Sequence, residues 1–476
     1  MNRTIIKNYI FYLANLMLDL LFPLLLSPYV TRVLGAQKLG TINLANSISA
    51  WFVLIVAFGI PVYGIREVAK VKDDKRKLSL IFTELTIIRA VLTIVGIIIF
   101  TVLIFSIEKL NNEFNLYIAM LLNLSIYIFS VDWLFQGIEK YEYLTIRNLF
   151  FKTLMFFLTI LLIKKSSQYV LYSYIQVISL GIFNLINFIS AKNKIGFNFN
   201  EIAIKKHFKN LSVFFIAALV TSIYTIFDSI VVGFMLDEIS LAFYSKSRQI
   251  INMGLTLTLS LSTVLIPRAS YLYKNNLDEF NNTVIKSIKY ILMVSIPMAI
   301  GIGVLSKEIM FFFGGDEFLK GTNVLVVMSA IIIFDPIYIW AINQVLIPTG
   351  NEKRTLHIQL LMAIINIILN FIMISYVGVI GASFSILITE IIGSIISIII
   401  VRRNILVNNM KISYIKYIIS GLIMGIGVAF IKNFINNYIL SLMVSGISGV
   451  VIYFVVLIIL RDENLMDTIN LMKERK

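Results

Sequence analysis

The sequence predicts an all-α polytopic membrane protein with about 14 transmembrane helices. Of its 476 residues, 59% are hydrophobic and only 14% are charged, and the mean hydropathy is +0.90. This is more apolar surface than the core of a soluble protein can bury. Apolar runs of about 20 residues, the length with which a helix crosses the hydrocarbon core, recur from end to end with short polar breaks.

The predicted spans are each long enough to cross at the helical rise of about 1.5 Å per residue. They are 9–29, 41–65, 79–106, 115–138, 145–163, 169–191, 210–235, 242–267, 284–305, 321–348, 355–375, 378–401, 413–431 and 437–460. We expect the first span to be retained rather than cleaved as a signal, because it contains Asn15 and Asp19 and no small-residue cleavage site follows it.

Charge is distributed unequally between alternate loops. If both termini are cytoplasmic, one side receives roughly 29 of the Lys and Arg residues and the other roughly 8, as the positive-inside rule requires. This asymmetry accounts for most of the net charge of +15, so the basicity does not indicate a nucleic-acid partner. The sequence predicts a multi-pass protein with both termini in the cytoplasm.

The loops are too short and too simple for most membrane enzymes. No Cys is present, and we find no metal-ligand cluster, phosphate-cradling Gly loop or nucleophile elbow. The longer breaks are rich in Lys and Asn and lack paired carboxylates in an acid/base arrangement. A transporter without a cofactor is therefore favoured over an enzyme, with a membrane glycan polymerase or ligase as the alternative.

Three sequence echoes indicate two similar halves. VLGAQKLGTINLA (33–45) resembles VGFMLDEISLAFYS (232–245), GIREVAKVKDDKRKL (64–78) resembles PRASYLYKNNLDEF (267–280), and GIEKYEYLTI (137–146) resembles PTGNEKRTLHI (348–358). They predict six-helix lobes at 1–191 and 210–401, a basic cytoplasmic linker at 192–209, and two extra helices with a cytoplasmic tail at 402–476. Chance similarity between Ile- and Leu-rich helices is the alternative.

Three stretches carry a family resemblance: SPYVTRVLGAQKLG (27–40), the pattern that begins REVAK and ends KL (66–78), and DWLFQGIEKYEYLTIRN (132–148). They resemble the Wzx-type polysaccharide-repeat flippases of the MOP superfamily, which also contains MATE exporters and MurJ-like flippases. The resemblance implies a V-shaped pair of lobes around a central cavity in the bacterial plasma membrane. It also implies transfer of undecaprenyl-diphosphate-linked oligosaccharide to the outer leaflet for synthesis of O-antigen or capsule. The partners it implies are this substrate, membrane lipids and polysaccharide polymerase or assembly proteins.

Such a substrate requires cations for its diphosphate, because Arg and Lys bind phosphate oxygens. Arg89 is the first candidate because it lies deep in its span, where a guanidinium needs an anion, water or a buried partner. A structural pair with Glu84 or Asp132 is the alternative. Four further cations are candidates at the two ends of the pathway: Arg248, Lys246, Arg32 and Arg66. The alternative for Arg248 and Lys246 is a pair with Asp228. For Arg32 we favour the alternative of an anchor at the membrane interface, and Arg66 is alternatively an ordinary cytoplasmic charge.

Polar residues at helical spacing predict a wet lining for the sugar. Thr221, Thr225 and Asp228 are spaced to share one face, as are Asn15 and Asp19. The complete set of predicted lining residues is Asn15, Asp19, Asn43, Asn46, Thr225, Asp228 and Asn252. The alternative is that these side chains hold helices together.

Three acids within spans are candidates for ion coupling or for structural pairs: Asp132, Asp335 and Glu390. We expect Asp132 to accept a hydrogen bond from Arg147 or another cation and to lock helix ends. Two other transport functions stay open. They are a MATE-like multidrug or cation-coupled exporter, which needs cavity acids more than arginines, and a MurJ-like lipid II flippase.

Overall fold

The computed structural model describes residues 3–404, 414–462 and 464–466. Within these ranges every regular element is helical. The chain divides into two compact units, Met1–Ile230 and Val231–Lys476. Much of the predicted cytoplasmic tail, and the basic loop before the last two helices, lie outside the described residues.

The first unit contains nine α-helices and the start of a tenth within the described residues. They are α1 (Arg3–Ala57), α2 (Ile60–Val71), α3 (Lys75–Ser106), α4 (Glu108–Asn111), α5 (Phe114–Ile126), α6 (Asp132–Gly137), α7 (Tyr141–Leu162), α8 (Tyr169–Ile195), α9 (Lys205–Ser222) and α10 (Asp228–Met235). Two 3₁₀ turns, Tyr127–Phe129 and Ser166–Gln168, and a π-helical turn, Ile223–Phe227, join some of them.

The second unit continues from the end of α10. Its helices are α11 (Glu238–Asn275), α12 (Leu277–Val304), α13 (Ser306–Gly314), α14 (Thr322–Ser329), α15 (Ile331–Trp340), α16 (Glu352–Val377), α17 (Val379–Asn404), α18 (Tyr414–Lys432) and α19 (Tyr438–Ile459). A 3₁₀ turn, Asp316–Gly321, precedes α14, and a π-helical turn, Ala341–Leu346, follows α15.

The all-helical membrane architecture predicted from the sequence is confirmed. Among the described residues, 11 helices are long and apolar enough to cross a membrane, or 12 if the bent pair Lys205–Ser222 and Thr225–Met235 forms one span. Most of the predicted span 9–29 and all of the predicted span 41–65 fall within the single candidate Ala14–Val71. The count of 14 is therefore not confirmed, and the division into six-helix lobes stays a prediction.

Bends in the first unit occur where the backbone leaves the helical region. Gly35, inside α1, has φ 75° and ψ 168°, which a side chain would make unfavourable. Gly59 precedes α2 with φ 76°, and an added Cβ would lie 2.7 Å from the carbonyl oxygen of Leu211. Both glycines are therefore required by the local conformation.

A buried aromatic cluster joins α2 to α6 in the first unit. Trp133 and Phe135 are buried with Tyr63 and Leu85. A Cβ at Gly64 would lie 2.5 Å from the Trp133 ring, so only glycine permits this close approach. The distinctive DWLFQG stretch thus contributes buried aromatic side chains to the packing, and it also carries polar groups.

A separate N-cap starts α3. The Asp74 carboxylate accepts a hydrogen bond from the backbone N–H of Lys77 at 3.1 Å. That bond, strengthened by the Lys77 side chain, holds the pKa of Asp74 below its usual value.

The last two helices pack on α12 in the second unit. Tyr453 on α19 donates a hydrogen bond to the carbonyl oxygen of Met293 at 2.7 Å, and the Lys432 ammonium donates to the carbonyl oxygen of Val304 at 2.6 Å. Gly421 faces Ile300 so closely that a Cβ would lie 2.8 Å away. The predicted pair of C-terminal helices is therefore an integral part of this unit.

Candidate functional site

Arg89 is a buried arginine to which no carboxylate of the described residues is hydrogen-bonded. It lies near the middle of α3 with 2% of its surface exposed, and its guanidinium carbon is 5.0 Å from the centre of the Tyr127 ring. Its Nε and Nη2 atoms have no hydrogen-bond partner among the described residues. Asp132 interacts with Arg89 electrostatically, without a hydrogen bond, and the Glu84 carboxylate is hydrogen-bonded to His207 instead. The alternative of a direct structural pair is thus not seen in this conformation.

Asp132 links three helices of the first unit. Its carboxylate contacts the Arg147 guanidinium through two nitrogens, at 3.2 and 3.3 Å, and accepts a hydrogen bond from the side chain of Asn187. The Arg147 guanidinium also lies 3.3 Å from the centre of the Phe183 ring. The expected contact between Asp132 and Arg147 is confirmed, and it joins the start of α6 to α7 and α8.

The polar stripe on α1 meets a matching stripe on α7. Lys152 forms an ion pair with Asp19, and the Asn148 side-chain amide donates a hydrogen bond to the Asn15 oxygen at 2.6 Å. Thr145 donates to the carbonyl oxygen of residue 11 at 2.9 Å. Two of the predicted lining residues therefore also hold helices together, which was the alternative explanation.

The predicted common face of Thr221, Thr225 and Asp228 is not found. The prediction assumed a continuous α-helix, but α9 ends at Ser222 and the π-helical turn Ile223–Phe227 follows. The wider turn changes the angular position of each later side chain. As a result Thr225 is exposed whereas Asp228 is 1% exposed.

The candidate cations of the second unit lie on α11. The Lys246 ammonium is buried, donates a hydrogen bond to the Gln249 side chain at 2.9 Å and lies 5.9 Å from the Phe313 ring centre. Arg248 is half-buried and interacts electrostatically with Asp335 on α15. Arg248 therefore has Asp335 as an acidic neighbour.

The remaining candidates differ in exposure. Glu390 on α17 is buried, and its backbone carbonyl accepts a hydrogen bond from Ser394. Asn43 is half-buried, and its carbonyl accepts from Ser47. Four candidates have exposed side chains: Arg32, Arg66, Asn46 and Asn252. Among the described residues no group of three or more His, Cys, Asp or Glu residues could hold a metal ion.

A buried network that the sequence did not reveal centres on Glu84. Its carboxylate accepts hydrogen bonds from the backbone N–H of Ala203 at 2.7 Å and from the Lys206 ammonium at 3.0 Å, and contacts His207 Nε2 at 2.8 Å. His207 Nδ1 lies 2.7 Å from the Tyr63 hydroxyl. Glu84 thus binds the start of α9 to α3. The basic run around His207 concealed this contact, because it reads as an ordinary cytoplasmic linker.

We expect Glu84→Ala to destabilise the protein by about 3 kcal/mol, because loss of the fully buried carboxylate would leave its hydrogen-bond donors unpaired. The measurement is thermal unfolding in detergent, together with protease cleavage of 196–204. Glu201→Ala is the matched control, since the Glu201 ion pair with Arg76 is exposed and should change neither result. Equal behaviour of the two variants would contradict the anchoring role.

Comparison with known proteins agrees with this architecture. The sequence model of the family described as "Polysaccharide biosynthesis protein" matches residues 5–273, and the MatE model matches residues 214–372. A putative O-antigen transporter of Shigella dysenteriae is 24% identical over 404 residues, which are 82% of this chain and 97% of the relative. That of Escherichia coli is 22% identical over 425 residues, 85% of this chain and 98% of the relative.

Solved structures share the fold. The lipid II flippase MurJ, in an inward closed conformation, aligns with a TM-score of 0.74 at 21% identity and covers 96% of this chain and 99% of its own. An outward-facing multidrug resistance MATE family transporter of the MOP superfamily aligns with a TM-score of 0.58 at 15% identity. The alignment covers 84% of this chain and 95% of the transporter.

The family match extends over more than half of the chain and includes all three stretches on which the resemblance was based. Together with the repeated apolar helices, it identifies a multi-pass membrane protein whose relatives are transporters. The chain belongs to the polysaccharide biosynthesis protein family.

Proposed function

We propose that the protein is a flippase that moves undecaprenyl-diphosphate-linked oligosaccharide repeat units from the inner to the outer leaflet of the bacterial plasma membrane. The observation that carries the proposal is similarity along almost the whole length of two putative O-antigen transporters. The substrate needs cations for the diphosphate and polar groups for the sugar, and both occur within the spans. The charge asymmetry between alternate loops supports a cytoplasmic position for both termini.

Within this proposal, transport proceeds by alternating access, with helix breaks as the points of bending. Gly35 interrupts α1, and π-helical turns occur at Ile223–Phe227 and Ala341–Leu346. Irregular helical turns are often found at functional hinges. A ligand shifts the equilibrium between the inward-open and outward-open states only if it binds one of them more tightly. In this proposal the charged diphosphate provides the difference in affinity between the two states.

Arg89 is proposed as the principal diphosphate ligand. Its unbonded nitrogens offer the forked geometry that phosphate oxygens accept. Lys246 and Arg248 are proposed for a second contact in the other half, and Arg32 and Arg66 for the two entrances. Because Arg89 is enclosed in this conformation, substrate reaches it only after a change that opens the first unit.

Inactivation of the gene in a bacterium that carries it tests the function. We expect loss of the surface glycan and accumulation of its lipid-linked repeat units in the inner leaflet, because polymerisation outside is deprived of substrate. Unchanged glycan with altered sensitivity to cationic compounds would instead indicate a MATE-like exporter. Growth arrest with lysis and intact glycan units would indicate a lipid II flippase.

A further inference from the structure

The helices α1 and α7 each expose two opposite faces of different chemistry. On α7, at about 100° per residue, four exposed apolar side chains fall within one narrow sector, whereas the exposed Leu149 and Leu162 lie outside it. The four are Ile146, Phe150, Phe157 and Leu161. Lys152 and Asn148 lie on the opposite side of the same helix. On α1, Met17 and Leu21 are exposed opposite Asn15 and Asp19.

This division separates a lipid-facing side from a polar side. The Asp19 side chain is 54% exposed and that of Lys152 is 27% exposed, although both lie within membrane-spanning helices. Charged groups in spans are stable where they face water or other protein groups, and the apolar sectors supply the surface for lipid. Asp19 and Lys152 therefore belong to a hydrated surface of the first unit.

The Lys152 ion pair differs from the pair nearby in the burial of its cation. Arg147 is 5% exposed where it meets Asp132, whose side chain is 35% exposed, so packing encloses the guanidinium but not the carboxylate. The Lys152 pair is open, and ion pairs of this kind contribute only about 0–1 kcal/mol. An arriving anion with two charges therefore displaces Asp19 from Lys152 at little cost.

We infer that Lys152 is an anion-binding residue that takes the phosphate groups of the lipid-linked substrate, with Asp19 as the ligand that they displace. The inference rests on the proposed function and adds a residue to its pathway. Asn148 donates to Asn15, and the Asn15 amide points to Asp19 at 3.5 Å. These amides keep the carboxylate beside the ammonium while the site is empty of substrate.

The two partners of the pair are expected to have opposite effects on binding. Lys152→Gln removes the cation and should weaken binding of undecaprenyl diphosphate about tenfold, which corresponds to one charge-assisted hydrogen bond. Asp19→Asn removes the competing anion and should tighten binding severalfold. Titration of the purified full-length protein in detergent with undecaprenyl diphosphate measures both constants.

The outcomes separate a binding site from a merely structural pair. A structural pair predicts that both single variants lose thermal stability and that Lys152→Gln/Asp19→Asn regains it, with unchanged affinity. Weaker binding by Asp19→Asn, or unchanged binding by Lys152→Gln, would overturn the inference. Equal binding of phosphatidylglycerol vesicles and undecaprenyl diphosphate would overturn the substrate assignment and leave a phospholipid site.

This test can fail independently of the proposed function. If the wild-type protein translocates the lipid-linked oligosaccharide but Lys152→Gln does so equally well and binds equally tightly, only the Lys152 site is wrong. If the wild-type protein neither binds undecaprenyl diphosphate nor translocates its glycan derivatives, the proposed function itself is wrong.

Discussion

Replacing Arg89 by Met is expected to abolish translocation while raising the thermal stability of the protein. The guanidinium is almost fully buried, and two of its nitrogens lack partners among the described residues. A buried charge without a bonded partner costs stability, so an apolar side chain of similar length should stabilise the fold by about 1 kcal/mol or more. The Tyr127 ring contact offsets part of this cost, since a desolvated cation–π contact is worth about 2 kcal/mol.

Arg147→Met is the matched control because Arg147 is equally buried but has a carboxylate partner. It should lower the unfolding temperature, whereas Arg89→Met should raise it. Translocation and unfolding temperature are measured on the same preparations, and Arg89→Lys should keep part of the transport because it keeps the charge. Loss of stability in Arg89→Met would show that Arg89 is structural. Full transport by a stable Arg89→Met protein would remove it from the diphosphate site.

Asp132→Ala is expected to cause the largest loss of stability among single substitutions in the first unit, about 3–5 kcal/mol. The change leaves the buried Arg147 without its counter-ion and removes the carboxylate that also acts on Arg89. It further leaves the Asn187 amide without its acceptor. Thermal unfolding in detergent, with the fraction of folded protein after membrane extraction, measures the effect.

The double variant Asp132→Leu/Arg147→Leu provides the control for this second prediction. Removal of both charges avoids an uncompensated ion, so most of the lost stability should return. Additive losses from the two substitutions would indicate that the residues act separately. Wild-type stability of Asp132→Ala would contradict the role of Asp132 in joining α6, α7 and α8.

Hydrophobic periodicity predicted nearly all of the helices, because a bilayer imposes both length and composition on each span. The sequence was less informative about where helices break. The span at 115–138 divides into α5, a 3₁₀ turn and α6, and that at 210–235 contains a π-helical turn. Such breaks depend on tertiary packing and leave no strong local signal, which is why the predicted face of Thr221, Thr225 and Asp228 was wrong.

Pairings of charged residues were only partly predictable. Arg147 lies 15 residues after Asp132, and the distinctive motif that contains both suggested their contact. The Glu84 network joins residues more than 100 positions apart, so periodicity gives no indication of it. Lys152 lies within the predicted span 145–163, and only the packing of α7 on α1 shows Asp19 beside it.

The most direct test of the central claim is translocation by the purified protein in proteoliposomes. Undecaprenyl-diphosphate-linked oligosaccharide is placed in both leaflets, and the fraction accessible to an external glycan-modifying enzyme is followed with time. If the protein is a flippase, wild-type vesicles should expose nearly all of the substrate, whereas empty vesicles and those with Arg89→Met should expose about half. Equal accessibility in wild-type and empty vesicles, with folded protein present, would contradict the proposed function.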